Sequence, residues 1–145
     1  MTDVFTKAKR RVIMQSVKRK DTAPELLFRK LLLDRGIQFQ EPPASFIGKP
    51  DFYLPTANSV VFVHGCFWHG HERCRKGSVL SRSNTAYWKA KISRNKARDK
   101  RVSRTLRSNG LSVFTVWECE LRKTAALPAR LLRRIGLMTR SCSQL

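Results

Sequence analysis

The segment HGCFWHGHERC, residues 64–74, limits the possible folds of this chain more than any other stretch. It holds all three histidines and two of the four cysteines. Thiolate and imidazole groups at this density bind zinc, and four such ligands in a tetrahedron leave no position for water, which is typical of a structural site. A distant cysteine completes the set, whose members are Cys66, His71, Cys74 and Cys119. A zinc ion held in this way would tie the loop after the second predicted strand to a segment far along the chain.

Two alternatives to this zinc set stay open from the residues alone. The C-x4-H-x2-C spacing recurs by chance, so three ordinary buried cysteines are the first alternative. The second concerns Cys142, which lies in the polar tail TRSCSQL and is predicted to be a free thiol. It could replace Cys119 as the fourth ligand if that tail folds back.

The first half of the chain predicts one helix and two strands. DTAPELLFRKLLLDRG reads as a helix, because Thr22 and Glu25 are spaced as a capping box and Gly36 suits a left-handed stop. GKPDFYLP and NSVVFVHG are short runs rich in β-branched and aromatic residues, so they predict two strands joined by a turn. Asp51 then enters the first strand and His64 leaves the second.

The second half predicts a long helix, a strand and a last helix. The long helix runs from about Thr85 to Gly110. Its apolar face consists of Trp88, Ile92, Val102 and Leu106. Asn95 and Asp99 fall on the same face, so two polar side chains are expected to point inward. LSVFTVWEC predicts a strand, and TAALPARLLRRIGL a last helix or broken helix.

Together these elements predict an α/β fold with a small mixed sheet flanked by helices. A chain of 145 residues with 41% apolar residues can form one domain with its own core. We expect residues 1–20 to form a basic N-terminal arm with a short helix, residues 21–138 the folded domain with the zinc site, and residues 139–145 a frayed tail.

The charge of the chain indicates a polyanionic partner. Lysine and arginine total 30 against 10 acidic residues, which gives a formal charge of +20. This is far more than solubility requires, and it favours nucleic acid over a ribosomal-type or membrane-surface role. No apolar run is long enough to span a bilayer and no signal peptide is recognisable, so we expect a soluble, cytoplasmic protein without a membrane partner.

Two histidines remain for chemistry once His71 is assigned to zinc. A carboxylate on an apolar helix face needs a partner, and Asp99 would suit a histidine that acts as a general base, either His64 or His69. Asp51 is the best candidate to hold a hard divalent cation such as magnesium. The alternatives are satisfied core histidines and an ordinary turn aspartate.

Phe67 and Trp68 lie between a predicted zinc ligand and a predicted base. One alternative for such a pair is a place in the core, but on a chain of this charge it also suits a wedge that stacks between bases and opens a duplex.

At these residues the sequence resembles the very short patch repair (Vsr) DNA mismatch endonucleases. The resemblance runs from about Asp3 to Leu121 and is carried by KDTAPELLFRKLL, GKPDF, VVFVHGCFWHGH, YWKAKISRNKARD and VWECEL. It implies a restriction-endonuclease-like core that nicks DNA 5′ to the thymine of a T:G mismatch with magnesium. Such a nick starts a short patch of resynthesis.

The resemblance also implies roles for individual residues. Asp51 would bind magnesium and His69 would be the general base, with Asp99 as its partner. Some members of the family carry threonine where this chain has Val63, so only the backbone carbonyl of Val63 could reach the metal. The supporting residues that it implies for the catalytic centre are His64 and Glu25, although Glu25 is also explained by the capping box.

A zinc site and a DNA wedge complete what the resemblance implies. The zinc ligands would be Cys66, His71, Cys74 and Cys119, with one more residue between His71 and Cys74 than the family pattern has. The wedge would consist of Phe67, Trp68 and Trp88 on the major-groove side and Met14 on the minor-groove side. Basic side chains such as Lys7, Arg10, Lys91 and Lys96 would bind phosphates.

Two other functions fit the same residues. One is a non-specific or restriction-type nuclease of the same fold, and the other is a non-catalytic, zinc-stabilised DNA-binding module. The expected partner in the favoured case is double-stranded DNA with a T:G mismatch, with mismatch-repair proteins as further candidates and a monomer as the expected state.

Overall fold

The computed structural model describes residues 22–75 and 84–136. The predicted basic arm with Met14, Cys142 and the predicted tail lie outside the described residues. Within them the elements follow the predicted order of helix, two strands, helix, strand and terminal helices.

Helix α1 covers Ala23–Asp34 and ends as predicted, with Gly36 in the left-handed region at φ 66°. Its start differs from the prediction, because the Thr22 side chain makes no capping hydrogen bond. Instead, Glu25 turns inward and is only 8% exposed. The capping box is therefore wrong on the threonine side, and the acid at its other end lies in a cavity.

The sheet has three strands within the described residues: β1 (Phe52–Leu54), β2 (Ser59–His64) and β3 (Ser112–Trp117). β1 and β2 are antiparallel and are joined through a short 3-10 turn, Pro55–Ala57. β2 and β3 are parallel, with His64 opposite Trp117. Parallel neighbours need a long crossover, which the helix between them supplies. The predicted mixed α/β sheet flanked by helices is confirmed.

The crossover is helix α2, Thr85–Ser108, close to its predicted bounds. Two short helices follow, α3 (Glu118–Thr124) and α4 (Ala129–Arg134). The predicted strand through Cys119 is wrong beyond Trp117, because Glu118 and Glu120 begin a helix, where acidic side chains favour the first turn. None of the described helices is long and apolar enough to cross a membrane.

The sheet is packed on both faces, since alternate residues of each strand point to opposite sides. Val61 and Val63 face a core shared with α1, α3 and α4. Val60 and Phe62 face a second core, to which α2 contributes Val102 and Leu106. His64 continues the second alternation, which directs it toward α2.

Candidate active site and metal centre

A histidine pair and a carboxylate meet where β2 ends beneath α2. The rings of His64 and His69 are stacked, with centroids 3.7 Å apart and planes 2° from parallel. His69 Nδ1 lies 2.6 Å from Asp99 Oδ2. The inward orientation predicted for Asp99 therefore brings it to His69, the histidine that the family resemblance implies as the base.

Burial and mutual charge set the protonation of this group. His64 is buried, and that burial, with the nearby charge of His69, lowers its pKa to about 3. Burial raises the pKa of Asp99, but the hydrogen bond and charge of His69 outweigh it, so the net pKa is lowered. An ionised Asp99 favours a proton on Nδ1 of His69, which leaves Nε2 able to accept one.

Asp51 is held at the entrance of β1 by two backbone hydrogen bonds. Its N–H donates to Val61 O at 3.0 Å, and its Oδ2 accepts from the N–H of Val63 at 2.7 Å. The pKa of Asp51 is raised to about 7, mainly by burial and also by the charge of Glu25, while the Val63 hydrogen bond and His69 partly offset the rise. The carboxylate oxygens of Asp51 and Glu25 are the kind of ligand that hard divalent cations prefer.

All the predicted catalytic residues line one cavity of about 680 Å³, which we call the catalytic cavity. Its predicted members are Glu25, Asp51, Val63, His64, His69 and Asp99. Lys49, Lys91 and Arg98 add positive charge to its wall. Val63 contacts Asp51 through its N–H, so the metal contact predicted for its carbonyl stays a prediction.

The four predicted zinc ligands also converge. The ligand atoms of Cys66, His71, Cys74 and Cys119 all lie within 4.8 Å of one another, and Cys119 Sγ is 3.4 Å from His71 Nδ1. Tetrahedral zinc with its usual bond lengths separates neighbouring ligand atoms by roughly 3.5–3.8 Å. The three cysteines form no disulfide. This donor set therefore fits a tetrahedral metal ion.

The loop around the metal centre is held by local contacts. His71 and Cys74 are joined by a turn, in which the N–H of Cys74 donates to His71 O at 3.4 Å. The His71 ring stacks on Trp117 with centroids 4.1 Å apart, which fixes its orientation. Burial raises the pKa of the Cys66 thiol to about 12, so a bound cation would have to displace its proton.

Phe67, Trp68 and Trp88 form one aromatic cluster, with ring centroids 5.3–5.6 Å apart. Trp88 belongs to neither buried core of the described residues, so its predicted place on the core face of the helix is wrong. It lies in the first turn of α2 and packs with Phe67 and Trp68. Sequence reasoning missed Tyr87, which joins the cluster at 5.1 Å from Trp88.

The loop that carries Phe67 and Trp68 is held in place by contacts with α2. Asn95, which was predicted to point inward, donates from Nδ2 to Trp68 O at 2.9 Å. A Cβ atom on Gly70, whose φ is 60°, would lie 2.7 Å from a methyl carbon of Ile92. Backbone contact with α2 on both sides of His69 therefore positions that residue opposite Asp99.

Comparison with known proteins shows the family. A family model described as DNA mismatch endonuclease Vsr matches residues 2–76. This chain belongs to the Vsr DNA mismatch endonuclease family. It is 42% identical over 135 residues to the type II nicking enzyme V.NmeAIP of Neisseria meningitidis, covering 93% of this chain and 95% of that one. It is 40% identical over 122 residues to the DNA mismatch endonuclease Vsr of Escherichia coli K12, covering 84% and 77% of the two chains.

A third relative is the type II nicking enzyme V.XorIIP of Xanthomonas oryzae, 45% identical over 131 residues, which are 90% of this chain and 95% of the relative. The family predicted from the sequence is thus confirmed, and with it the restriction-endonuclease-like fold and the class of enzyme, a DNA endonuclease. In this Vsr endonuclease the roles of single residues remain predictions that the geometry supports.

Proposed function

We propose that this Vsr endonuclease nicks one strand of double-stranded DNA 5′ to the thymine of a T:G mismatch, in a magnesium-dependent hydrolysis that starts very short patch repair. The observation that supports it best is the convergence of the His69–Asp99 pair with Asp51 and Glu25 in one cavity beside the aromatic cluster. The names of its relatives agree, since they are nicking and DNA mismatch endonucleases.

Asp51 and Glu25 would hold magnesium in the catalytic cavity, with the Val63 carbonyl as a further ligand. Bound there, magnesium supplies charge neutralisation at the phosphate and stabilisation of the leaving oxygen. His69 accepts the proton of the attacking water on Nε2, while Asp99 holds the ring and stabilises the imidazolium that forms. His64 stays neutral at working pH because its pKa is about 3, so it acts by stacking on His69 rather than by charge.

Zinc is the ion that we assign to the Cys66, His71, Cys74 and Cys119 site, since three thiolates and one imidazole fill its tetrahedral preference. Its role is structural, because no ligand position is left for water. The site fixes both ends of the loop that carries the aromatic pair and His69.

Mismatch preference would follow from the cost of opening the duplex. Unstacking costs a few kcal/mol per base step and is lowest at a mismatch. Phe67, Trp68 and Trp88 are partly exposed and adjacent, so they can insert as one unit. Met14 of the N-terminal arm would complete the wedge, and the enzyme would act as a monomer on one strand.

A strand-specific nicking assay tests this function. Labelled duplexes with one T:G, T:A or C:G pair are incubated with zinc-loaded enzyme, with magnesium or without it. We expect a magnesium-dependent nick 5′ to the mispaired thymine only. Equal cutting of all three duplexes would indicate a general nuclease, and tight binding without any cutting a DNA-binding module.

Two variants locate the chemistry. Asp51→Asn and His69→Ala should abolish nicking and retain binding of the T:G duplex. Asp34→Asn is the matched control for Asp51→Asn, because Asp34 is exposed at the end of α1, outside the catalytic cavity. Full activity of either site variant would remove that residue from the mechanism.

A further inference from the structure

A second cavity, of about 700 Å³, lies on the other side of α2 from the catalytic cavity. One wall is α2 and the other is β3, with Thr115 and Trp117 exposed to it, while the metal-binding loop closes one end. Its basic side chains are Arg73, Lys96, Lys100, Arg104 and Arg107. We call this cavity the basic groove.

The basic groove has an excess of unpaired positive charge. Its three acids already have cationic or histidine partners: Glu72 pairs with Lys96 at 2.7 Å, Glu120 with Arg130 at 3.0 Å, and Asp99 with His69. Arg73, Lys100 and Arg104 make no ion pair with any residue in the described ranges 22–75 and 84–136. These three exposed cations line one concavity without an acidic partner among the described residues, and together they form a positive surface that suits an anionic ligand.

The basic groove adjoins the catalytic cavity. His64, His69 and Asp99 line both cavities, so the histidine pair lies between them. A DNA strand whose reacting phosphate lies beside His69 would therefore have neighbouring phosphates within reach of the groove. The hydroxyl groups of Ser103 and Thr115 add uncharged donors of the kind that contact DNA phosphates.

We infer that the basic groove is a second DNA-binding site, which holds the backbone phosphates flanking the scissile one on the strand that is cut. This rests on the proposed function for the reacting phosphate itself. The shared histidine pair favours DNA over an acidic protein, because an acidic protein would need no access to His69. The site would position the strand without reading its sequence, because phosphates carry no base information.

Salt-dependent binding of the full-length, zinc-loaded enzyme to a T:G duplex, without magnesium, tests the inference. The double variant Lys100→Gln/Arg104→Gln removes two exposed charges from the groove. The matched control, Arg133→Gln/Arg134→Gln, removes two exposed charges from α4, which packs on the opposite face of the sheet. Both variants lower the net charge equally, so any difference between them reports the position of the charges.

Each phosphate contact contributes about 0.9 to the slope of log affinity against log salt. We expect the groove variant to lose about 2 from that slope and roughly 10- to 100-fold in affinity at 0.1 M salt, and the control to change little. Equal changes in the two variants, or none in the groove variant, would overturn the inference.

Modified DNA then identifies the strand. Uncharged methylphosphonate groups beside the cleavage position should weaken binding by the wild-type enzyme but add little to the defect of Lys100→Gln/Arg104→Gln. Additive losses would mean that the groove holds something else. The single-turnover nicking rate at saturating DNA should stay near wild type, which separates the groove from the chemistry. A failure of the wild-type enzyme to nick T:G DNA would reject the proposed function and leave the binding result intact.

Discussion

Asp99 is the only acid of α2, in a helix that otherwise carries a row of lysines and arginines. Asp99 orients His69 through one hydrogen bond. Asp99→Asn should therefore lower the single-turnover nicking rate by about 10²–10⁴-fold, the usual range for an oriented general base. Binding of the T:G duplex should be unchanged. The double variant with His69→Ala should be no slower than His69→Ala alone, because the two residues act as a unit. Multiplied effects would show that Asp99 acts independently of His69.

His64 gives the enzyme a stability that depends on pH. Its pKa is 6.5 when unfolded and about 3 when folded, so the unfolded chain takes up the extra proton. The contribution of His64 to the free energy of unfolding is fully present above pH 6.5 and is lost as the pH falls toward 3. When the pH is lowered from 7.5 to 5, the free energy of unfolding in urea should fall by about 2 kcal/mol more for the zinc-loaded wild type than for His64→Phe. Parallel curves for the two proteins would contradict a neutral buried His64.

At the scale of elements, the boundary between β3 and α3 determines the metal site. The sequence predicted a strand through Cys119, because Val116 and Trp117 favour strands and a local pattern does not include the effect of a distant metal site. The helix instead turns Cys119 to within 3.4 Å of His71. Cys119→Ser should reduce bound zinc well below one equivalent and lower the melting temperature, by roughly 2–4 °C for each kcal/mol lost. Cys142→Ser, the thiol control, should retain both, and loss of zinc there instead would favour the tail cysteine as the ligand.

Helical periodicity predicted the inward face of α2 correctly for Asn95 and Asp99, because a 3.6-residue repeat fixes direction wherever the helix covers the sheet. It failed for Trp88, because the repeat does not reveal that the first turn of the helix packs on the loop residues Phe67 and Trp68 instead of the core. Asn95→Ala should lower the free energy of unfolding by about 1–3 kcal/mol, because the Trp68 carbonyl loses its hydrogen-bond donor. It should also change the near-ultraviolet circular dichroism of the aromatic cluster. Zinc content should stay constant. Ser93→Ala, on the exposed side of the same helix, is the control, and equal effects of the two changes would refute the positioning role.

For the whole molecule, the sequence predicted the layers better than the cavities. Runs of β-branched and aromatic residues predicted the strands, and the distant Cys119 predicted a tertiary contact, because a tetrahedral metal site needs four ligands. The sharing of the histidine pair between two cavities depends on how α2 crosses the sheet, which no local pattern records. The stacking of His64 on His69 was likewise beyond prediction, since it depends on side-chain rotation as well as position.

The charge of +20 and the aromatic cluster act on different properties of DNA, which allows their effects to be separated. Phosphate contacts are the same in matched and mismatched duplexes, whereas the cost of unstacking differs between them. Raising the salt concentration from 50 to 200 mM should therefore weaken binding of T:G and T:A duplexes in parallel, by roughly 10³–10⁵-fold for 6–10 phosphate contacts, while the ratio of the two affinities stays constant. Trp68→Ala should reduce that ratio and leave both salt slopes unchanged. If the ratio itself falls steeply with salt in the wild type, discrimination must depend on additional phosphate contacts made only at the mismatch, and the wedge cannot be its main source.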